Sequence, residues 1–226
     1  MRKKGLYVVF EGVDGSGTST QIHLLTSHIK KLSKYQDVLE THEPWKSEEI
    51  KRKLSEDITP YSDGLVMAKL YLDDRVDHTH EIIIPVVNAM GIVLSDRYKM
   101  STCAYQWSQG IDLFELLRMH ENRGLLTPDL TYLIDVSLEV SQARVRERLL
   151  KENPNIPIEE RLEKFERDSG FISKLIEAYR CLAHMSEVDQ KLFGKVITIN
   201  GNKSIEKVAL EISSYFDSLY NTWIKS

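Results

Sequence analysis

The chain has little cysteine and no long hydrophobic segment. Cys103 and Cys181 are the only cysteines among 226 residues, and their wide separation fits neither a disulfide framework nor the paired spacing of a zinc site. The apolar run nearest the N-terminus, residues 6–10, is shorter than a secretory signal or a membrane span requires. We therefore expect a reduced, cytoplasmic protein that is not inserted in a membrane.

The chain also lacks an excess of charge of one sign. Its 30 Lys and Arg residues against 34 Asp and Glu residues give a formal net charge of −4. Nucleic-acid binding relies on a broad positive field, so we expect no nucleic-acid partner, and an anionic ligand must be held by a few placed donors. With 42% hydrophobic residues and no linker rich in Pro, Gly or Ser, residues 1–226 are expected to form a single domain.

Short apolar segments alternate with helical patterns along the chain. The apolar segments lie at 6–10, 38–39, 91–96, 130–136 and 195–199, and the helical patterns at about 22–32, 64–89, 101–122, 139–152, 159–186 and 205–223. Nearly all-apolar strands that alternate with helices are typical of a parallel sheet covered on both faces. The pattern predicts an α/β fold with a five-stranded parallel sheet flanked by helices. The polar, proline-broken stretch 151–158 is predicted to be a mobile surface element.

A glycine-rich segment follows the first predicted strand and precedes the first predicted helix. Its residues are Gly12, Val13, Asp14, Gly15, Ser16, Gly17, Thr18, Ser19 and Thr20. Glycines permit a tight turn whose N–H groups point inward, and the helix adds its free N-terminal amides, so a phosphate is the natural ligand. The pattern is that of a P-loop, G-x-x-x-x-G-K-[ST], with Thr18 at the lysine position. We predict that this segment binds ATP phosphates; the alternative is a glycine-rich turn that binds nothing.

Several motifs in order make the chain resemble the thymidylate kinases. Residues 10–21 resemble the opening F-E-G-x-D-G-[SA]-G-K-[ST]-T-Q of that family, and similar motifs follow at 41–44, 71–75, 95–106, 128–135 and 164–166. The resemblance implies a three-layer P-loop NTPase-type fold with a short lid at about 148–164. It also implies Mg²⁺-dependent transfer of a phosphoryl group from ATP to dTMP, and a homodimer.

The resemblance assigns roles to particular residues. Arg97 would hold the acceptor phosphate and offset charge during transfer, Asp96 and Ser19 would organise Mg²⁺, and Asp14 would contact the sugar hydroxyl or the metal. The residues implied to bind dTMP are Asp14, His42, Tyr71, Arg75, Arg97, Ser101, Thr102, Tyr105 and Gln106. The ring of Tyr105 would disfavour a 2′-hydroxyl. Arg97, Asp96 and Asp14 are therefore the predicted catalytic residues.

Elementary chemistry supports two of these roles without excluding ordinary structural ones. The guanidinium of Arg97, at the carboxyl end of a strand, offers a bidentate fork to phosphate, but an Asp–Arg pair can also simply close a strand. Tyr71 and Arg75 are four residues apart and share a helix face. They could stack on a base and bond its carbonyl edge, or be a core tyrosine and a surface arginine paired with Asp74 or Glu81.

Three departures from the family pattern bear on activity. Thr18 removes the charge that a P-loop lysine places on the phosphates. The cations Arg148, Lys151, Arg161 and Lys164 flank the predicted lid and could replace that charge when the lid closes, although a solvated helix face is their structural alternative. His42 stands where the family usually has arginine, and Trp45-Lys46 replaces the usual glycines.

Two other functions stay open on this evidence. Loss of the lysine at position 18 permits a nucleotide-binding protein without catalytic activity. A deoxynucleoside kinase would need a carboxylate base near a 5′-hydroxyl, often within a Glu-Arg-Ser motif, where this chain has Asp96-Arg97-Tyr98. The remaining histidines are interpreted as surface or packing residues, and His78 and His80 lack the spacing for a zinc site. The pair Asp73-Asp74 is interpreted as tuning Arg75.

Overall fold

A computed structural model describes residues 4–56, 59–188 and 190–225. Five strands form one all-parallel sheet in the order β2-β3-β1-β4-β5. The strands are β1 Leu6–Glu11, β2 Val38–His42, β3 Ile92–Asp96, β4 Leu130–Asp135 and β5 Val196–Asn200. The predicted α/β fold with a five-stranded parallel sheet is confirmed.

Helices cover both faces of the sheet. They are α1 Thr18–Leu32, α2 Glu48–Glu56, α3 Gly64–His78, α4 Ile84–Asn88, α5 Lys99–Ser108, α6 Leu113–His120, α7 Leu138–Glu152, α8 Ile158–Arg161, α9 Ser169–Val188 and α10 Ile205–Lys225. On one face, Ile22 of α1 and Phe216 of α10 join the buried side chains of the strands. On the other, α5 and α9 pack together around residues such as Cys103 and Leu182. No helix in the described part of the chain is both long and apolar enough to cross a lipid bilayer.

Three of the predicted helices are broken, each at a recognisable place. The pattern at 64–89 divides into α3, a π-helical turn over Thr79–Ile83, and α4. The ring of Pro85 would meet the carbonyl of the residue four positions earlier in a regular helix, and the wider turn avoids that clash. The pattern at 101–122 is interrupted by Gly110, whose φ is 98°, and Asp112 then caps α6 by accepting from the Glu115 N–H at 2.9 Å. The pattern at 159–186 divides into α8 and α9.

The carboxyl ends of the central strands meet beside the glycine-rich segment. Asp96, the last residue of β3, lies opposite both Phe10 of β1 and His42 of β2. The Arg97 N–H donates to the Phe10 carbonyl at 2.8 Å, and the Glu43 N–H donates to the Asp96 carbonyl at 3.0 Å. Crevices at this edge of a parallel sheet, where the order of connections reverses, are where such folds bind ligands.

Candidate active site

The glycine-rich loop, residues 12–17, folds into the turn that its composition predicts. Gly15 and Gly17 have φ values of 78° and 99°, a backbone region that side chains disfavour. A Cβ on Gly15 would lie 2.5 Å from the Ser141 carbonyl oxygen of α7, whereas a Cβ on Gly17 would meet no described atom within 4 Å. Gly15 therefore permits close packing against α7, and Gly17 leaves open space at the start of α1.

A large open cleft, which we call the loop cleft, lies over this turn. Its volume is about 490 Å³, and it is lined by Val13, Asp14, Gly15, Gly17, Thr18, Ser19, Thr20, His42, Glu43, Asp96, Arg97, Arg144 and Arg148. The first turn of α1 points its N-terminal amides into such a cleft, which favours an anion. Most residues of the predicted phosphate-binding segment thus line one cavity. His42, predicted to bind dTMP, lies in this cleft, on the loop side of the site.

Arg144 is a residue of the cleft that the sequence reasoning missed. Its Nη1 donates to the Ser16 carbonyl at 3.2 Å, and its Nη2 donates to the Gly201 carbonyl at 2.9 Å. The guanidinium therefore links the loop to the segment after β5 and adds positive charge beside it. The available signal was spacing, because Arg144 lies four residues before Arg148 and shares its helix face.

Ser19 and Asp96, predicted to organise Mg²⁺, lie in direct contact. The Ser19 hydroxyl donates to Asp96 Oδ2 at 2.5 Å. Asp96 Oδ1 is buried and has no hydrogen-bond partner among the described residues, which leaves a carboxylate oxygen available to a ligand. Hydroxyl and carboxylate oxygens suit Mg²⁺, which keeps several waters and substrate oxygens in its coordination sphere. The two residues present therefore fit this ion.

The predicted catalytic residues Asp14 and Arg97 form a cluster with Tyr105. Arg97 Nη2 donates to Asp14 Oδ1, Arg97 Nη1 donates to the Tyr105 hydroxyl at 3.0 Å, and that hydroxyl donates to Asp14 Oδ2 at 3.2 Å. Burial opposes the charge of Arg97, yet Tyr105 and Asp14 raise the pKa of its guanidinium well above the usual value. Arg97 also has a positive φ of 71°. Such backbone strain is characteristic of functional positions.

A second cavity, the acceptor cavity, lies on the far side of this cluster. Its volume is about 140 Å³, and it is lined by Asp14, Glu43, Pro44, Leu54, Tyr71, Arg75, Arg97, Ser101, Thr102, Tyr105, Gln106, Glu163 and Phe165. Every residue predicted to bind dTMP except His42 is among them. Asp14, Glu43 and Arg97 line both cavities. The two cavities therefore meet at a wall that carries one guanidinium and two carboxylates.

Arg75 is buried rather than paired at the surface. Its side chain is 1% exposed, and its Nε donates to Glu43 Oε2 at 2.7 Å. Burial disfavours the charged form of Arg75, whereas the Glu43 carboxylate stabilises it. The net effect is that the pKa of the guanidinium is raised above its usual value. The structural alternative, a surface arginine paired with Asp74 or Glu81, is wrong.

Asp74 binds the backbone of the loop after Pro44, a role that the sequence interpretation missed. Its carboxylate accepts the N–H groups of Trp45, Lys46 and Ser47 at 2.5, 3.0 and 2.8 Å. It therefore fixes the loop after Pro44, while Asp73 pairs with Arg123 at 2.8 Å. Neither carboxylate is hydrogen-bonded to Arg75, and the carboxylate that contacts Arg75 and raises its pKa is that of Glu43.

Glu11, at the end of β1, is a buried acid that positions the site. It accepts the Tyr98 N–H at 2.9 Å and the Ser101 hydroxyl at 2.5 Å, and it is fully buried. These bonds tie the start of α5 to β1 directly after Arg97. Burial raises the pKa of the Glu11 carboxyl from 4.5 to about 7.

Replacing Glu11 by glutamine is expected to change how stability depends on pH. Between pH 4.5 and about 7 the folded chain keeps a proton on Glu11 that the unfolded chain has released, so rising pH favours unfolding. The free energy of unfolding of the wild type, relative to Glu11→Gln, should therefore fall by on the order of 3 kcal/mol across this window. Urea unfolding of both proteins at pH 5, 6, 7 and 8 measures this difference. Parallel stability curves would contradict the prediction.

The four predicted lid cations differ in where they lie. Arg148 lines the loop cleft, with its Nη2 2.7 Å from Glu166 Oε1. Lys151 pairs with Glu147 at 2.7 Å and is 74% exposed. Arg161 donates to the carbonyls of Leu149 and Asn153, at the end of α7. The Nζ of Lys164 is buried and donates to the Ser62 hydroxyl at 2.9 Å. Of the four, Arg148 is the one that lines the cleft in this structure.

Comparison with known proteins gives one consistent family. The model of the family described as "Thymidylate kinase" matches residues 10–212. The chain is 32% identical over 219 residues to the "Probable thymidylate kinase" of Thermococcus gammatolerans, covering 92% of this chain and 94% of that protein. It is 33% identical over 213 residues to the "Thymidylate kinase" of a Sulfurihydrogenibium species, covering 90% and 93%. The "Thymidylate kinase" of Pelobacter propionicus is 33% identical over 218 residues, covering 91% and 90%.

Proposed function

The chain belongs to the thymidylate kinase family, and from that premise we propose that it transfers the γ-phosphoryl group of ATP to dTMP, giving dTDP and ADP. The observation that carries the proposal is the junction of the loop cleft and the acceptor cavity at Asp14, Glu43 and Arg97. Two phosphorylated substrates bound on opposite sides of this wall would bring their phosphates together at Arg97. Such alignment supplies much of the catalysis of phosphoryl transfer.

The acceptor cavity presents polar groups that complement thymine. Four of the five N–H groups of Arg75 have acceptors: Glu43, His120, the Tyr98 carbonyl and Thr102. The fifth, on Nη1, has no acceptor among the described residues and remains as a donor. Gln106 Oε1 is buried and has no partner among the described residues, so it remains as an acceptor. Thymine and uracil offer a carbonyl acceptor next to an N–H donor, whereas cytosine offers the reverse.

Arg148 is the cation that we propose in place of the missing P-loop lysine. It lines the same cleft as Thr18, and its side chain is 47% exposed, so it can reach a phosphate that enters from solvent. A guanidinium offers a fork to phosphate oxygens. Its partner Glu166, on the segment after α8, would release it when a more highly charged triphosphate arrives.

Mg²⁺ is part of the proposal, with Ser19 and Asp96 as the residues that would hold it. When bound, the ion would neutralise charge on the phosphates of ATP. Asp96 lines the loop cleft and not the acceptor cavity, which supports a role on the ATP side. Asp14 would contact the sugar hydroxyl of dTMP from the junction, and Tyr105, packed edge-to-face on Phe165 at 4.9 Å, would restrict space at the sugar.

A deoxynucleoside kinase is less well supported. Such an enzyme needs a free carboxylate beside the 5′-hydroxyl of its substrate. Of the two oxygens of Glu43, Oε2 accepts from Arg75 at 2.7 Å and Oε1 lies 3.2 Å from His78 Nδ1. Asp14 is engaged by Arg97 and Tyr105. Both carboxylates at the junction are therefore engaged by cationic or polar side chains of the protein, which disfavours either of them as a general base for a 5′-hydroxyl.

The assembly and the location of the protein belong to the same proposal. The family resemblance supports a homodimer, and the scarcity of cysteine and of apolar segments supports a cytoplasmic protein. One parallel sheet with helices on both faces supports a single kinase domain over residues 1–226.

An ADP-release assay with ATP, Mg²⁺ and a panel of acceptors tests the proposed function. We expect turnover with dTMP and dUMP, no turnover with thymidine, and at least a roughly hundredfold lower kcat/KM with dCMP, because two buried polar groups would lose their partners. Phosphorylation of thymidine would favour the deoxynucleoside kinase. No turnover by the wild type, with activity appearing in Thr18→Lys, would favour a nucleotide-binding protein without catalysis.

A further inference from the structure

His120, the last residue of α6, lies against the arginine of the acceptor cavity. Its side chain is buried, and the residue is 4% exposed. Its Nε2 lies 3.0 Å from Arg75 Nη1, and its Nδ1 lies 2.8 Å from the Leu116 carbonyl oxygen. The sequence interpretation of His120 as a surface or packing residue overlooked this contact, because the two residues are 45 positions apart.

The two contacts of His120 determine where its proton lies. A guanidinium can only donate, so Nε2 must carry the lone pair and accept from Arg75. A carbonyl oxygen can only accept, so Nδ1 must carry the proton and donate to Leu116. Both ring nitrogens are thereby assigned, and the ring is neutral. Burial and the charge of Arg75 lower the pKa of His120 to about 3, which keeps the ring in this state at physiological pH.

This contact controls the direction of the remaining donor of Arg75. Nε donates to Glu43, and Nη2 donates to the Tyr98 carbonyl and to Thr102, both at 3.0 Å. The fifth N–H therefore belongs to Nη1, the same nitrogen that donates to His120. Because the guanidinium is planar and rigid, an acceptor that fixes one hydrogen of Nη1 also fixes the direction of the other.

We propose that His120 is a positioning residue for acceptor specificity, which holds Arg75 so that one N–H is directed at a carbonyl oxygen on the pyrimidine ring of the substrate. This inference rests on the proposed function and extends it to a residue outside the cavity wall. Gln106, whose buried Oε1 lacks a partner among the described groups, would accept the neighbouring ring N–H. His120 thus affects recognition of the base without touching the substrate.

Three substitutions distinguish this role from simple packing. Leucine removes the acceptor but keeps an apolar side chain of moderate size. Glutamine can place an oxygen near the position of Nε2, whereas asparagine is shorter and reaches only the position of Nδ1. We expect the Kd for dTMP to rise about tenfold in His120→Leu and His120→Asn, and to stay within about threefold of the wild type in His120→Gln. The kcat at saturating dTMP should stay within about twofold of the wild type in all three.

The probes are dTMP and 2-deoxyribose 5-phosphate, which lacks the base. Calorimetric titration gives the Kd for dTMP without turnover, and competition against dTMP gives the affinity of the sugar phosphate. Leu113→Ala, a cavity-forming change elsewhere in α6, serves as the control for lost stability. We expect His120→Leu to weaken dTMP alone, and Leu113→Ala to lower the thermal midpoint while leaving both ligands unaffected.

Each alternative result has a definite meaning. Equal weakening of both probes in His120→Leu would show a general loosening of the cavity and overturn the inference. The inference is also overturned if dTMP binds His120→Leu as tightly as the wild type, or if glutamine fails to restore binding that asparagine lacks. Absence of dTMP binding by the wild type would overturn the proposed function, and the inference with it.

Discussion

Replacing Arg97 by alanine is expected to lower kcat/KM for dTMP about a thousandfold, because positioned charge supplies most of the catalysis in phosphoryl transfer. Arg97 lies where the loop cleft and the acceptor cavity meet, so its guanidinium can contact both the acceptor phosphate and the γ-phosphoryl group that is transferred. Alanine carries the same Cβ, so the positive φ of this position adds no difference in strain. Steady-state kinetics with ATP, Mg²⁺ and dTMP measure the effect.

Two controls separate the lost contact from indirect effects. Arg97→Lys keeps the positive charge but cannot donate two parallel hydrogen bonds to a phosphate. Its activity should therefore lie between those of Arg97→Ala and the wild type. Arg97→Ala also leaves the Asp14 carboxylate without its ion-pair partner. The double variant Asp14→Asn, Arg97→Ala removes that unpaired charge and should be at least as slow as Arg97→Ala, because Asp14 itself is a predicted catalytic residue. If the double variant regained activity close to that of the wild type, Arg97 would serve only to neutralise Asp14.

Replacing Arg148 by alanine is expected to lower kcat about a hundredfold, by the loss of one preorganised charge that contacts the transferring phosphate. The KM for dTMP should not change, because Arg148 does not line the acceptor cavity. Adding Thr18→Lys to Arg148→Ala should raise kcat at least about tenfold over Arg148→Ala alone, since the lysine returns a positive charge to the loop. The measurement is kcat for the two single variants, the double variant and the wild type.

Arg118→Ala provides the control for Arg148→Ala. Arg118 is an exposed arginine on α6 that lines neither the loop cleft nor the acceptor cavity. We expect the kcat of this variant to stay within about twofold of the wild type. If Arg148→Ala behaved like Arg118→Ala while the wild type turned over, the charge opposite Thr18 would come from another residue of the cleft.

The sequence predicted the fold because its signals are local. Apolar runs of strand length alternate with helical periodicity, and that alternation is sufficient to predict a parallel sheet with helices on both faces. The boundaries of the helices were less well predicted. Breaks at Pro85 and Gly110 lie within otherwise continuous apolar periodicity, and the segment after α8 is irregular although its pattern continues. Backbone geometry at Pro85 and Gly110, rather than apolar periodicity, decides the first two of these breaks.

The order of motifs also located most of the candidate site. The glycine-rich loop is a local feature, because its turn depends on backbone freedom at residues such as Gly15 and Gly17. Ser19 and Asp96, although 77 positions apart, were expected to lie together because the family resemblance assigns both residues to Mg²⁺. The structure brings them into contact where α1 begins and β3 ends, at the carboxyl edge of the parallel sheet.

Polar partners within the core were decided by tertiary structure alone. The structural alternative for Arg75 was an ion pair near its own helix, yet its partners Glu43 and His120 are 32 and 45 positions away. A buried guanidinium must satisfy its donors wherever acceptors are available, and the chain's local pattern does not reveal which acceptors the packing brings near. The same reason explains the role of Arg144 and the separation of Arg148 from the other lid cations. The sequence by itself therefore determined the fold, the glycine-rich loop and the types of residue in the candidate site, while the tertiary structure decided which of those residues touch.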